Sequence, residues 1–466
     1  MKMQCCFLFF LAAFLLHQQT SGAQTPIYDS GGPLMPQQAA YDVKFYDLSL
    51  NVNPADSSIA GAVEMRAAIV QPIDVFVLDL DTLLSIQNVQ LGRKGKFQQS
   101  LAFERRAGKI WIDLEKTWQP GESVEVKVTY SGRPRVAPRP PWDGGFTWAR
   151  TPSGSPWIAT TCETEGPDIW WPCKDHVSDE PDSMALHITV PGSLVVASNG
   201  RLRKVEKRPD GRKTYHWFVS TPINNYDVAL NIAPYRLIET KMKSVAGETF
   251  PVKFWVLPEN YEDGRKLMPE ILAHLRFFER LLGPYPFRAD KYGVVQTPHL
   301  GMEHQTIIAY GAKFDRRSMT RGKDWGFDAL HHHELSHEWW GNLVTNADWK
   351  DMWIHEGFGT YMQALYLEET RGDSMYHAYM ASLRGGAESP LAIAPRTSKT
   401  SKQIYRAPIY NKGAWVLHTL RFLIGEKALR QSLRRMLYPT RRMEKITDGR
   451  QCRFVSTSDF IYTVEK

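Results

Sequence analysis

The residues His333-Glu334-Leu335-Ser336-His337 carry more information about fold and function than any other part of this 466-residue chain. Residues four apart on an α-helix lie on one face, so the imidazoles of His333 and His337 can bind the same metal ion. Glu334 then projects beside that ion. The two histidines just before the motif have no histidine four residues further along, so we interpret them as neighbours rather than ligands. The motif therefore predicts a metal-binding helix.

A third ligand is predicted on the next helix, which starts near Trp353 and carries Glu356. A carboxylate from a second helix completes the protein ligands of a catalytic zinc, with water at the fourth position. The neighbours of Glu356 include Trp353 and Phe358, which disfavours a solvent-exposed glutamate. We therefore predict one Zn²⁺ per chain, bound by His333, His337 and Glu356. Cobalt or manganese could occupy the same donor set.

The periodicity of the chain changes near residue 240. Before it, apolar residues alternate with polar ones in Val124–Tyr130 and Met184–Val190, which predicts half-buried strands of an antiparallel sheet. After it, apolar residues recur with helical spacing. The further helices that this spacing predicts are Leu267–Leu282, about Phe327 to Leu343 with Asp324 as N-cap, and Lys412–Ile424. We predict an N-terminal β domain over 24–240 and a mainly helical catalytic domain over 241–466.

Composition excludes several classes of protein. Hydrophobic residues make up 43% and charged residues 23% of the chain, ordinary values for a globular protein. The net charge of +7 comes from 57 Lys and Arg against 50 Asp and Glu. No run of like charges concentrates this excess, so the sequence predicts no nucleic-acid partner.

The N-terminus has the pattern of an export signal. Lys2 precedes an apolar run from Cys5 to Leu16, and the small residues Ser21-Gly22-Ala23 follow. The run is shorter than the ~20 residues that span a bilayer, so a cleaved signal peptide over 1–23 is favoured over an anchor. We expect a secreted or periplasmic protein, depending on the host, without stable membrane insertion. The sequence does not indicate its oligomeric state.

Cysteine usage is sparse. Cleavage after residue 23 would leave three cysteines, Cys162, Cys173 and Cys452, which is too few for a disulfide scaffold. A disulfide between Cys162 and Cys173 is an alternative in an oxidising compartment, because the sequence does not fix the distance between the two residues.

With these motifs identified, the chain resembles the gluzincin zinc aminopeptidases of the aminopeptidase N and leukotriene A4 hydrolase type. The resemblance runs from about Tyr41 to the C-terminus. It rests on HELSHEWWGN (His333–Asn342), WKDMWIHEGF (Trp349–Phe358), YNKGAWVL (Tyr410–Leu417), GPYPF (Gly283–Phe287), TCET (Thr161–Thr164), PCKD (Pro172–Asp175) and GMEH (Gly301–His304). It implies an antiparallel β domain followed by a thermolysin-like, mainly helical α+β domain, and an activity that removes N-terminal residues from peptides.

The resemblance also implies roles for catalytic residues. Zinc lowers the pKa of a bound water, which attacks the scissile carbonyl while Glu334 takes its proton as general base and passes it to the leaving amine. Tyr410 matches the family tyrosine that stabilises the resulting oxyanion from the other side.

Other residues are implied to bind the substrate. Glu303 matches the glutamate that holds the free α-amine, and Glu163 matches a second position, acidic or amide in the family, that the β domain supplies. One anchor in each domain implies a cleft between the domains. The backbone of Gly301 and Met302 is expected to align with the peptide as a strand edge, with Met302 touching the first side chain.

The chain departs from the family at three site positions and in length. Leu300 stands where the family has Gly, and His304 and His355 stand where it has Asn. The chain ends soon after Tyr410, whereas the family carries a helical C-terminal domain, so we expect a chain that is truncated relative to the family or an unusually open enzyme. A zinc endopeptidase, a catalytically silent peptide-binding homologue and an epoxide hydrolase are the alternatives.

Overall fold

The computed structural model describes residues 28–405 and 408–466. The predicted signal peptide, residues 1–23, lies outside these described residues. Within them, no helix combines the length and the apolar character needed to cross a bilayer. The thiols of Cys162 and Cys173 are both free and buried, so the described structure contains no bridge between them.

The first half of the chain is built from strands. Together with the short helix α1 (Pro36–Ala39), the elements are β1 Tyr41–Asn53, β2 Ser58–Ile69, β3 Ile73–Asp79, β4 Leu84–Arg93, β5 Lys96–Ser100, β6 Phe103–Arg106, β7 Lys109–Trp118, β8 Ser123–Gly132, β9 Gly145–Arg150, β10 Pro156–Thr161, β11 Ser183–Pro191, β12 Val195–Ser198, β13 Arg201–Lys207, β14 Arg212–Val219 and β15 Leu230–Ala233. They form an eight-stranded sheet in the order β13-β14-β11-β1-β2-β8-β4-β5, a four-stranded sheet β12-β15-β10-β9 and a three-stranded sheet β3-β7-β6.

Both strands predicted from alternation are present. Val124, Val126, Val128 and Tyr130 of β8 are buried while the residues between them are partly exposed, and β11 buries Met184 through Val190 except for His187. The sheet is not antiparallel throughout, because β1 and β11 run parallel. This prediction was wrong for that pair, since alternation reports burial and not strand direction.

The second half combines a sheet with helices. Its elements are β16 Arg236–Lys243, β17 Thr249–Val256, α2 Tyr261–Leu282, β18 Tyr292–Gln296, β19 Gly301–Met302, β20 Ile308–Tyr310, α3 Ala329–Ser336, β21 Val344–Asn346, α4 Trp353–Arg371, α5 Asp373–Ala387, α6 Ser401–Ile404, α7 Asn411–Ile424, α8 Glu426–Leu437, β22 Arg453–Val455 and α9 Thr457–Glu465. Five of these strands form a sheet in the order β16-β17-β18-β20-β19, which packs with the helices. β19 is the last strand in this order and therefore lies at the edge of the sheet. The predicted fold class, a β domain followed by an α+β domain, is confirmed. The boundary predicted after residue 240 falls inside β16, which pairs with β17.

Three predicted helices, now α2, α4 and α7, are confirmed, the last two to within one residue at each end. α2 ends at Leu282 as predicted but begins at Tyr261, six residues before the predicted Leu267. The helix predicted from about Phe327 to Leu343 was too long, because α3 ends at Ser336. From Asn342 to Val344 the backbone N–H groups bond to carbonyls five residues back rather than four, which is incompatible with a regular α-helix. Its N-cap was also wrong. Asp328, not Asp324, accepts a hydrogen bond from the His331 N–H at 3.0 Å.

Candidate active site

The two motif histidines meet at one end of α3. Their Nε2 atoms are 3.3 Å apart, as expected for positions four apart on a helix. The second nitrogen of His337, Nδ1, lies 3.0 Å from the Trp340 carbonyl oxygen, so an N–H on Nδ1 leaves Nε2 free as a lone-pair donor. Both side chains are buried. The structure thus brings together the pair of imidazoles that the sequence predicted.

Helix α4 carries Glu356 to the same point. Its Oε2 lies 3.1 Å from His333 Nε2 and 3.6 Å from His337 Nε2. α4 crosses α7 very closely, because a Cβ at Gly357 would lie 2.8 Å from the Cα of Gly413. This crossing needs glycine on both helices and sets the start of α7 against Glu356.

The three side chains fit a tetrahedral zinc ion. Ligand atoms that are each about 2.0–2.1 Å from such an ion lie about 3.3 Å from one another, and the observed separations are 3.1, 3.3 and 3.6 Å. Two imidazole nitrogens and one carboxylate oxygen are also the donor set of catalytic zinc sites. His333, His337 and Glu356 can therefore hold Zn²⁺ without rearrangement of the helices.

Four buried carboxyl groups surround this point: Glu163, Glu303, Glu334 and Glu356. Among the described residues, no Lys or Arg side chain pairs with any of them within 4.0 Å. Burial is the main cause that raises the pKa of all four, and repulsion from Glu356 adds to it at the other three. Burial also lowers the pKa of His333 to about 4. The site is therefore built to receive positive charge, and cations bound there will restore the ionised carboxylates.

Glu334 lies beside the edge strand β19. One oxygen each from Glu334 and Glu303 and one nitrogen of His337 lie within 4.8 Å of one another. A Cβ added at Gly301 would come 2.3 Å from Oε1 of Glu334 and 2.5 Å from Leu330. The close packing of strand and carboxylate therefore requires glycine at position 301. Met302, the other residue of β19, is buried and pairs with Ala309 of β20.

The two predicted amine-binding glutamates come from different halves of the chain. Glu163 follows β10, and Glu303 follows β19. The Tyr405 hydroxyl makes a short hydrogen bond to Glu163 and lies 3.2 Å from Oε1 of Glu356. The Tyr226 hydroxyl donates to Glu303 at 3.3 Å. Neither tyrosine was found by sequence reasoning, since a lone Tyr outside a recognised motif gives no signal of its own. The resemblance drew attention only to the tyrosine five residues after Tyr405.

Tyr410 is the N-cap residue of α7, and its hydroxyl donates to Oε1 of Glu356 at 2.6 Å. Its ring stacks on the imidazole of His333 with 6.1 Å between centroids. A phenol has one proton, so this hydroxyl donates either to Glu356 or to a substrate oxygen. Burial and the charge of Glu356 raise its pKa well above the usual value, so it stays protonated and able to donate.

The neighbouring histidines are packed elsewhere. His331 lies against Tyr292 and His274 through its two ring nitrogens, at 2.7 and 2.8 Å, and His332 packs among aromatic rings. His304 is buried, and its ring nitrogens have no hydrogen-bond partner within residues 28–405 and 408–466. His355 accepts from the Asn346 N–H at 3.1 Å. None of the four is part of a possible metal-binding group in the described residues.

Comparison with known proteins agrees with this geometry. Residues 43–226 match the Peptidase M1 N-terminal domain, and residues 271–446 match the Peptidase family M1 domain. The chain is 27% identical to the mitochondrial Aminopeptidase 2 of Saccharomyces cerevisiae, over 58% of this chain and 30% of that protein. It is 25% identical to Aminopeptidase N of Haemonchus contortus, over 81% of this chain and 41% of that protein. The chain thus spans less than half the length of these curated relatives.

A solved structure matches almost end to end. It is a glutamate-to-alanine mutant of an M1 zinc metallopeptidase from Deinococcus radiodurans, bound to a Tyr-Ser-Ala substrate. The TM-score is 0.73 at 26% identity, over 95% of this chain and 94% of that one. The two family models and the structural match therefore show that the chain belongs to peptidase family M1.

Proposed function

We propose that this protein is a zinc-dependent aminopeptidase that releases N-terminal residues from peptides. The M1 membership, the names of the curated relatives and the zinc-compatible geometry of His333, His337 and Glu356 support this proposal. When bound there, zinc lowers the pKa of a water ligand and polarises the scissile carbonyl.

Glu334 is the general base of the proposed reaction. Its carboxylate lies within the same cluster as His337 and is packed against Gly301. The packing holds it beside the place where a substrate carbonyl would meet an attacking water, so it can take a proton and pass it to the leaving amine. Tyr410 is proposed to donate its hydroxyl to the oxyanion, once that hydroxyl leaves Glu356.

Two carboxylates without a basic partner, those of Glu163 and Glu303, are the reason for proposing an aminopeptidase rather than an endopeptidase. Metal binding and proton transfer account for only two of the four glutamates, Glu356 as a ligand and Glu334 as the general base. Glu163 and Glu303 are also buried there, and among the described residues neither has a Lys or Arg partner. A zinc dication and a substrate ammonium together offset three of the four negative charges, and proton uptake by Glu334 removes the fourth. A charge-assisted hydrogen bond to the ammonium contributes about 1.5–3 kcal/mol.

The edge strand β19 is proposed to bind the substrate backbone. It pairs on one side with β20 through Gly301 and Met302 and lies at the border of the five-stranded sheet. An extended peptide can add to such an edge, which would place its N-terminal residue next to Glu303.

The test compares peptides with free and acetylated N-termini. Zinc-loaded protein is assayed on an aminoacyl-amide reporter and its N-acetyl form, beside Glu303→Gln and the exposed control Glu369→Gln. We expect cleavage of the free form only, a fall in kcat/KM of about 10- to 100-fold in Glu303→Gln and no change in the control. Equal cleavage of the acetylated form would instead establish an endopeptidase, and a zinc-loaded chain without any turnover would establish a silent homologue.

We also propose export of the protein, to the periplasm or the extracellular space. The Lys2, apolar-run and Ser21-Gly22-Ala23 pattern supports this. N-terminal sequencing of protein expressed in its host should give a chain that begins at Gln24. Protein retained in the cytoplasm with residues 1–23 intact would contradict it.

A further inference from the structure

A second group of imidazoles and carboxylates lies far from α3 in the sequence, on the partly exposed face of the eight-stranded sheet. His187 of β11 and His216 of β14 are directly paired across the two strands. Their Nδ1 atoms are 2.8 Å apart, and their side chains are 31% and 25% exposed, so solutes can reach them. We call these two residues the sheet-face histidine pair.

Each imidazole has a carboxylate on its far side. Nε2 of His187 lies 3.3 Å from Asp47, and Nε2 of His216 lies 3.6 Å from Glu206. Asp47 favours the tautomer of His187 with its proton on Nε2, which leaves a lone pair on Nδ1. The 2.8 Å between the two Nδ1 atoms is then the length of an N–H···N hydrogen bond that His216 donates to His187. A divalent ion bound by both nitrogens takes the place of the proton between them.

We propose that the sheet-face histidine pair binds one divalent transition-metal ion through its two Nδ1 atoms, with water as the remaining ligands. Imidazole nitrogen is the preferred donor of Cu²⁺, Ni²⁺ and Zn²⁺, whereas Mg²⁺ and Ca²⁺ prefer oxygen. The carboxylate of Asp47 at the far nitrogen of His187 reproduces the arrangement found behind metal-bound histidines. Widening the Nδ1 separation to about 3.3 Å, as two ligands of one ion require, needs only small rotations of these partly exposed side chains.

The surrounding charges do not oppose a cation. Lys127 is paired with Glu64 at 2.8 Å, and Lys204 and Arg208 both contact Glu206 at 3.0 and 3.4 Å. The three basic side chains are balanced by three carboxylates once Asp47, beside His187, is counted with Glu64 and Glu206. The ion would tie β11 to β14 and stabilise the N-terminal half of the chain, independently of the site on α3.

The test titrates the zinc-loaded full-length protein with Cu²⁺ by calorimetry, while metal analysis follows any release of zinc. We expect one further Cu²⁺ per chain, with an electron paramagnetic resonance spectrum that shows coupling to two nitrogens. His187→Gln and His216→Gln should each abolish this binding, and Asp47→Asn should weaken it by about tenfold. His377→Gln, which alters another exposed imidazole beside a carboxylate, should not change it.

A peptide-hydrolysis assay tests this proposal independently of the proposed function. His216→Gln should retain the zinc content and the peptidase activity of the wild type while it loses the additional copper. Copper that only replaces the bound zinc, or extra copper that binds equally well to both histidine variants, would overturn the proposal.

Discussion

Helices α2 and α3 are both buried against the sheet of the second half, but they are buried for different reasons. α2 has one mainly apolar face, with Leu275 and Phe278 inside, although His274 and Glu279 are buried with them. In α3 all eight residues are buried, including three histidines and a glutamate. The buried polar groups of α2 are hydrogen-bonded within the fold, Glu279 to Ser244 and His274 to His331. In α3, by contrast, His333 and Glu334 lie in a cluster of carboxyl groups that has no Lys or Arg partner among the described residues, and a bound cation explains their burial.

The largest effect expected on the α3 side follows Glu334→Gln. The amide keeps the shape of the side chain but cannot take a proton, so kcat should fall by about 10²–10⁴-fold while the fold and the bound zinc are retained. Steady-state kinetics with parallel metal analysis measures this. A variant with undiminished activity would remove Glu334 from the mechanism.

The matching change in α2 is Leu275→Ala. Leu275 is fully buried, so the substitution should lower the free energy of unfolding by about 2–5 kcal/mol through lost burial and a cavity. Activity per folded molecule should stay at the wild-type level. Denaturant unfolding and an active-site titration check the two parts. A stable variant with reduced kcat would break the contrast between the helices.

Gly301→Ala sharpens the contrast at the strand beside α3. The added methyl would meet Oε1 of Glu334 and the side chain of Leu330, so either β19 or these side chains must shift. A displacement of about 1 Å can lower kcat by about 100-fold. Thermal unfolding, measured alongside the kinetics, should change little. Wild-type kinetics in this variant would show that the position of Glu334 is not critical.

The smallest effect concerns the start of α3. Asp328→Ala removes the cap of His331 N–H and the acceptor of the Tyr310 hydroxyl, so we expect a loss of about 1–2 kcal/mol in unfolding free energy. Asp324 is exposed, and in the part of the chain that the structure describes it accepts a hydrogen bond only from the Gly326 N–H. Its change to Ala should stay within about 0.5 kcal/mol. Equal losses in the two variants would contradict the assignment of the cap.

The features that the sequence predicts correctly are those that local patterns encode. The apolar face of α2 and the alternation in β8 follow from the spacing of apolar residues along the chain. The motif of α3 places two imidazoles side by side because its histidines are four residues apart on a helix. What sequence reasoning missed depends on contacts between distant segments. The parallel pairing of β1 with β11 is one such contact, and the hydrogen bond of Tyr405 to Glu163, across 242 positions, is another.

The early end of α3 shows a third limit. Residues 337–344 have no Gly or Pro before Gly341 that would end a helix, so the pattern predicted its continuation. Instead the Ser336 hydroxyl donates to the His333 carbonyl at 2.6 Å. The backbone N–H groups of residues 337–339 then bond to carbonyls three residues back, and the turns widen only from Asn342. Such competition between side chain and backbone depends on the surrounding packing, which a local pattern does not contain.

The central claim is that His333, His337 and Glu356 share one zinc ion while Glu334 carries out proton transfer. Its most direct test measures bound zinc and turnover together in a His216→Gln background, where the sheet-face histidine pair cannot add a second ion. We expect one zinc and full activity in that background, one zinc with kcat lowered by about 10²–10⁴-fold after Glu334→Gln, and loss of both zinc and activity after His337→Ala or Glu356→Gln. A full zinc content in the His337→Ala and Glu356→Gln proteins would contradict it.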